Sequence, residues 1–267
     1  MPCTICTGST LRIWQEGAYQ AEHCAQCGVI QATGPTAPTL YDERYYVENY
    51  LSHSGVRVQH FQQMVQQANL PLHAPLLDVG AGVGFFLKSL PASLREQAVA
   101  VEPAAYARNL LQQEQVVPLV AASLTDLPRG QEYFATITLW DVLAHVPEPA
   151  SLLHTLREKM APGGQLLIKT PHHPVRLFQV AKLLGPVKKG RAILHIPAQL
   201  FHFTPTALTY LLGATGFTVI STQWTSEAPV PYRGTLRILK ERVLGAFLRA
   251  STRYASFLCV AEKSKAA

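Results

Sequence analysis

The chain has 267 residues, of which 48% are hydrophobic and 15% charged, with a formal net charge of +6 at pH 7. That length and apolar content are enough for one large domain plus a small module around a sizeable core. No apolar run approaches the roughly 18 to 20 residues that span a bilayer, and the opening MPCTICTGST lacks the charged and apolar parts of a secretory leader. A folded cytoplasmic protein is the expectation.

The charge is unevenly spread. Residues 1–158 hold 8 Lys+Arg and 14 Asp+Glu, whereas residues 159–267 hold 15 and 3. The C-terminal part should therefore attract phosphates, anionic lipid headgroups or nucleic acid, unless it is only a solvated basic surface.

At the N-terminus, CTIC and CAQC place Cys3 and Cys6, then Cys24 and Cys27, as two C-x2-C pairs with 17 residues between them. Two such knuckles can deliver four thiolates tetrahedrally to zinc, and the metal supplies folding energy that so short a segment cannot draw from a core. The spacing predicts a zinc ribbon over residues 1–32, with a disulfide pair or a redox dithiol as the alternatives. Closed four-sulfur coordination leaves no open position for chemistry.

The connector ATGPTAPTL follows, then a segment with an aromatic-rich start, YDERYYVENY, that reads as helix; together they form a linker and helical region over residues 33–74. From residue 75 onward the pattern alternates. Strands PLLDV, AVAVE, VVPLVA, FATITLW and QLLIKT are separated by helical stretches such as VGFFLKSLPASL and PASLLHTLREKM, and strands FTVIST and SFLCVAEK come last. This predicts an α/β fold with a mostly parallel, Rossmann-like seven-stranded sheet between helical layers, whose ligands sit at the carboxyl ends of the strands.

In LLDVGAGVGFFLK, Gly80, Gly82 and Gly84 alternate behind Asp78. A dinucleotide site would want G-x-G-x-x-G, but position 85 is Phe. An acid before the turn suits a cationic ligand, with the glycines letting the backbone approach it closely. S-adenosylmethionine carries such a cation and no pyrophosphate.

With DVGAGVG, AVAVEP, LWDVLAHVPEP and MAPGGQLLIKTP in this order, residues 75–223 resemble class I S-adenosylmethionine-dependent methyltransferases. The resemblance implies that Asp78, Gly80, Ala81, Gly82 and Gly84 form the cofactor turn, and that Glu102, followed by Pro103, holds the ribose hydroxyls. It also implies an adenine-binding turn at Ser123 and Leu124, with Asp126 second. Tyr45, Tyr46, Phe85 and Trp140 are candidates to line the cofactor pocket, where aromatic faces favour a sulfonium.

Asn/Asp-Pro-Pro-Tyr/Phe, typical of amino-group methyltransferases, is replaced here by Leu139, Trp140, Asp141 and Val142, which favours an oxygen or carbon acceptor. In the combination of LWDVLAHVPEP and HIPAQLFHFTPTALTYLLGATGF the chain looks like the branch that includes ubiquinone-biosynthesis O-methyltransferases and sugar-modifying methyltransferases. Several of those relatives also begin with a zinc ribbon followed by a Tyr-rich segment like YDERYYVENY. The expected acceptor is small or lipid-linked: a glycan precursor, a nucleotide-sugar or a quinone.

Candidate proton acceptors are His145, His172, His173, His195 and His202, since imidazole can take a hydroxyl proton near neutrality. His195 and His202, flanking IPAQLF in the acceptor-covering region, rank first, and His145, the helix-start histidine of the family motif, equally suits a capping or packing role. Basic insertions at 172–203 and 226–254 are expected to cover the acceptor within a domain spanning 75–267. In the second, Leu236, Leu239, Val243 and Phe247 share one helical stripe flanked by Arg and Lys. Residues 233–253 are thus a candidate for peripheral contact with the inner face of a membrane.

Two other readings stay open. One is an RNA methyltransferase with a zinc ribbon, although Arg12 is the only Lys or Arg in residues 1–40. The other is a non-catalytic cofactor-binding scaffold.

Overall fold

A computed structural model describes residues 2–35, 41–128, 133–172, 194–225 and 256–264. Residues 173–193 of the first basic insertion, with His173, and the whole of the second, 226–254, with the stripe at 233–253, lie outside the described residues.

Two sheets organise the chain. The larger has seven strands: β4 (Leu76–Val79), β5 (Ala98–Val101), β6 (Leu119–Ala121), β7 (Phe134–Trp140), β8 (Met160–Pro171), β10 (Phe217–Thr225) and β11 (Ser256–Lys263). Their spatial order is β10-β11-β8-β7-β4-β5-β6. Strands β8, β7, β4, β5 and β6 are parallel, and β11 enters antiparallel to both β8 and β10.

The chain runs outward from β4 through β5 to β6, then returns to place β7 on the other side of β4. That reversal opens a crevice beyond the carboxyl ends of β4 and β7, where ligands bind in open α/β sheets.

Strand periodicity puts alternate residues on opposite faces. Val99 and Val101 face one core with Leu153 and Leu156 of helix α6 (Pro149–Glu158) and Leu208 and Leu211 of helix α7 (Pro205–Ala214). Ala98 and Ala100 face the other, with Met64 of α2 (Ser54–Gln67), which follows the short α1 (Glu43–Asn49), Phe86 and Leu87 of α3 (Phe85–Ser89) and Leu111 of α5 (Ala105–Gln113). The result is the three-layer arrangement expected from the alternation of elements.

The stretch VGFFLKSLPASL, read as one helix, is two. Helix α3 ends at Ser89 and a short α4 (Ala92–Arg95) follows. Pro91 disfavours helical backbone at Leu90, whose φ of −78° and ψ of 150° are extended.

The smaller sheet holds β1 (Thr10–Glu16), β2 (Tyr19–Cys24) and β3 (Ile30–Thr33), antiparallel throughout. A fourth strand, β9 (Phe201–His202), comes from the far end of the first basic insertion and pairs Ile30 with His202 and Gln31 with Phe201. The N-terminal module therefore does not stand apart. Cys3, Ile5, Cys24, Cys27 and Val29 share a single apolar cluster with Leu143, Phe203 and Leu208.

Candidate active site

Strand β4 ends in a turn that only glycine accommodates easily. Gly80, Gly82 and Gly84 have φ of 71°, 56° and 80°, in the left-handed region. Their surroundings separate their roles. A Cβ on Gly80 would collide with Val142, and one on Gly84 would lie 2.5 Å from Leu111, so these two allow close packing. A Cβ on Gly82 would meet nothing within 4 Å; it would project into open space.

That space belongs to a cavity of about 740 Å³, within the usual range for a small-molecule site. Asp78, Gly80, Ala81, Gly82, Glu102, Pro103 and Trp140 line it, which brings together seven of the residues read from the sequence as cofactor contacts. Gly84 is not among the lining residues. Neither are Ser123, Leu124 and Asp126, which form a 3-10 turn after β6 with Ser123 Oγ 2.7 Å from Thr125 Oγ1.

Two carboxylates dominate the electrostatics. Asp78 is 1% exposed, and Oδ1 accepts a hydrogen bond of 2.6 Å from Thr138 Oγ1 on β7. Burial raises its pKa to about 7, the Thr138 hydroxyl opposing and the Glu102 charge adding to the effect. Glu102, 4% exposed, bridges the glycine turn to α5: Oε2 accepts from Gly82 N and Oε1 from Ala104 N, both at 2.7 Å. Its pKa too is raised by burial, against those two N–H donors and Arg108.

The cavity wall is aromatic. Tyr45, Tyr46, Phe85 and Trp140 line it, joined by Tyr41, Tyr50 and Phe61. Phe86 and Trp140 pack with centroids 4.7 Å apart, and Tyr50 stacks on Phe85 at 6.3 Å. The Arg57 guanidinium lies over the Tyr50 ring, 4.5 Å from its centroid.

Two histidines line this cavity, His60 of α2 and His145, whereas His172, His195 and His202 do not. His145 ends a 3-10 turn, Leu143–His145, after β7, and its Nδ1 is 2.6 Å from Ala198 O. A carbonyl oxygen can only accept, so Nδ1 carries the proton and the lone pair of the neutral ring is at Nε2. Tyr41 OH lies 3.2 Å from the same Nδ1.

His195 opens the following turn and lies within electrostatic reach of His145; desolvation, then the His145 charge, lowers its pKa. His202, which β9 pairs with Ile30 of the small sheet, is 1% exposed. His172 bonds through Nδ1 to Phe203 O at 3.0 Å and packs on Trp224.

Among the polar cavity residues that sequence reasoning passed over are Tyr41, Arg57, His60 and Lys169. Lys169, 3% exposed, donates to Asp141 Oδ2 at 2.7 Å, and Asp141 adopts a left-handed φ of 58°. A lone lysine in the apolar run QLLIKT was the available signal, since a buried lysine requires a partner. Arg57 and Tyr41 have no local signature.

Away from the cavity, the four sulfurs of Cys3, Cys6, Cys24 and Cys27 lie within 4.8 Å of one another, Cys3 to Cys27 at 3.7 Å and Cys6 to Cys24 at 3.5 Å. Tetrahedral thiolates about 2.3 Å from zinc would be about 3.8 Å apart, so this donor set fits that ion. Despite burial, backbone donors from Cys27 and Gln26 lower the Cys24 thiol to about 7.

Residues 54–222 match a family described as a methyltransferase domain, and the chain belongs to that family. Over 114 residues it is 32% identical to the ubiquinone biosynthesis O-methyltransferase of Xanthomonas euvesicatoria pv. vesicatoria, covering 40% of this chain and 47% of the relative. Over 102 residues it is 30% identical to the tRNA U34 carboxymethyltransferase of Klebsiella pneumoniae subsp. pneumoniae, covering 36% and 30%. The chain thus spans less than half of the length of these curated relatives, 47% of one and 30% of the other. In fold it resembles a Haloferax volcanii methyltransferase solved in complex with the Trm112 methyltransferase activator, with a TM-score of 0.60 at 11% identity over 82% of this chain and 96% of that one.

Proposed function

We propose that the protein is an S-adenosylmethionine-dependent methyltransferase that modifies a hydroxyl, or a carbon, of a small or lipid-linked acceptor such as a glycan precursor, a nucleotide-sugar or a quinone. The observation that carries this reading is the convergence, in one cavity, of two buried carboxylates at a glycine turn and an imidazole with its proton fixed at Nδ1.

Bound S-adenosylmethionine supplies an already activated methyl group on a sulfonium. Asp78 complements the ammonium of its methionine part, and Arg57, on the same cavity, suits the carboxylate. Glu102 accepts hydrogen bonds from the ribose hydroxyls. Gly82 leaves room for the ligand to lie against the backbone, and the aromatic wall excludes water and favours a sulfonium. His145 Nε2 takes the acceptor's proton, while Lys169, steadied by Asp141, offers a positive charge to an acceptor oxyanion.

The four-cysteine cluster binds zinc in a closed, structural site. The basic stripe at 233–253 contacts an anionic membrane surface where a lipid-linked acceptor would be found; liposome association lost on deleting these residues supports that contact, and association retained removes it.

The test of the acceptor is transfer of a labelled methyl group to fractionated cell extract. Label in small-molecule or lipid fractions is expected. Label confined to macromolecular RNA overturns the reading in favour of a second one, RNA methylation, which the similarity to a tRNA-modifying relative and the basic C-terminal part support. That second reading requires RNA binding that weakens steeply with salt.

A further inference from the structure

One continuous path of contacts runs from the cysteine cluster to the cavity. Cys27 O accepts a 2.6 Å hydrogen bond from Thr204 Oγ1, which in turn accepts from Ala207 N at 3.0 Å and so caps helix α7. From Thr204 the chain runs back through β9, whose two residues pair with Ile30 and Gln31 of the ribbon. Next to β9, Leu200 is held from both sides: Ala32 N donates to its carbonyl at 2.7 Å, and its own N–H donates to Ala144 O at 2.8 Å. Two residues earlier, Ala198 O accepts the hydrogen bond from His145 Nδ1–H.

Residues 198–204 are therefore clamped between the ribbon and the turn that carries His145. The clamp is also apolar, since Phe201 and Phe203 stack at 5.5 Å and share a core with Cys3, Cys24, Cys27 and Leu143. A ribbon this small has little core of its own and depends on closing its knuckles around a metal. A ribbon built to dock a nucleic acid would not need these bonds and would carry more cationic side chains than Arg12, its only Lys or Arg.

We propose that the zinc ribbon is a positioning device for His145. With its knuckles closed it holds residues 198–204 in place, and the Ala198 carbonyl then selects the Nδ1–H tautomer, leaving Nε2 as the proton acceptor in the cavity. Cys27 and Thr204 are positioning residues; His145 alone among these acts on the acceptor. The catalytic consequence rests on the methyltransferase reading, but the tautomer can be measured without an acceptor.

The experiment uses the full chain, zinc-loaded, with 15N-labelled histidine, and reads the two ring nitrogens of His145 by long-range proton–nitrogen correlation at a pH where the ring is neutral. The signal is assigned by its loss in His145→Asn. The Nδ1–H form should dominate in the wild type. In Thr204→Val, which severs the link to Cys27, the Nδ1–H to Nε2–H ratio should fall by at least about twofold, and Thr204→Ser should restore it.

Chelating zinc from the wild type should shift the ratio in the same direction. Calorimetry with S-adenosylmethionine on the same samples reports independently on the Asp78 and Glu102 site: affinity unchanged within about twofold shows that the sheet remains folded. A Thr204→Val protein with the wild-type ratio overturns the proposal, as does zinc-free wild type with the wild-type ratio. Failure of the wild type to bind the cofactor refutes the methyltransferase reading and leaves the tautomer result to decide the proposal.

Discussion

Asp78 and Thr138 face one another in register on the parallel strands β4 and β7, and the Thr138 hydroxyl donates a 2.6 Å hydrogen bond to the Asp78 carboxylate. One hydroxyl does not offset the loss of water around a carboxylate that is 1% exposed, and its pKa rises to about 7. The fold thus keeps a carboxylate poised to ionise beside a cation, at the point where the sheet order reverses.

Asp78→Asn should stabilise the cofactor-free protein. The folded pKa is above the unfolded one, so between about pH 4 and pH 7 the unfolded chain ionises while the folded chain holds its proton, and the wild type loses stability as pH rises through that window. The gain from the substitution should be near zero at pH 4 and at most about 4 kcal/mol at pH 8. Urea denaturation at the two pH values measures it; a gain that is larger at pH 4 contradicts the assignment.

Binding of a cationic cofactor should release a proton from Asp78. Below about pH 7 the affinity for S-adenosylmethionine should weaken towards tenfold per pH unit, as the free protein must first ionise this group. Titration in buffers of different ionisation enthalpy detects the released proton, and a flat affinity between pH 7 and pH 5 is the contrary result.

His145→Asn should lower methyl transfer to the extract acceptor by about a hundredfold while leaving the cofactor affinity within about twofold, because the imidazole takes a proton and does not hold the cofactor. A loss of cofactor binding as large as the loss of rate would place His145 in the wrong role.

Metal analysis should find one zinc per chain, lost when Cys24 and Cys27 are both replaced by Ser. Because the cluster shares its core with Leu143 and Phe203, the replacement should also lower the thermal midpoint of the whole chain. A zinc-free protein with an unchanged midpoint contradicts both the site and its integration.

Sequence carried the parts of this site that local backbone rules dictate. The glycine turn and Asp78 follow from a strand end that must bend sharply beside an acid, and the cysteine pairs from knuckle spacing; Glu102 is legible only through the resemblance that AVAVEP bears to the methyltransferase family. What it could not carry was tertiary. Strand β9 is two residues long and has no periodicity, so its docking on the ribbon had no signal, and with it went the burial of His202. Arg57 and Tyr41 reach the cavity only because the N-terminal helical segment packs over the carboxyl ends of the strands. The break between α3 and α4 was legible in Pro91, whose effect on Leu90 is a local rule.

The central claim is that the β4 turn holds S-adenosylmethionine between Asp78 and Glu102. Isothermal titration calorimetry of the full chain, with Glu102→Ala and Asp78→Ala beside it, tests this directly. One cofactor per wild-type chain is predicted, with affinity reduced by at least about tenfold in each variant, as expected when a charged hydrogen-bonding partner is removed. Unchanged affinity in both variants, or no binding by a folded wild type, would contradict the account.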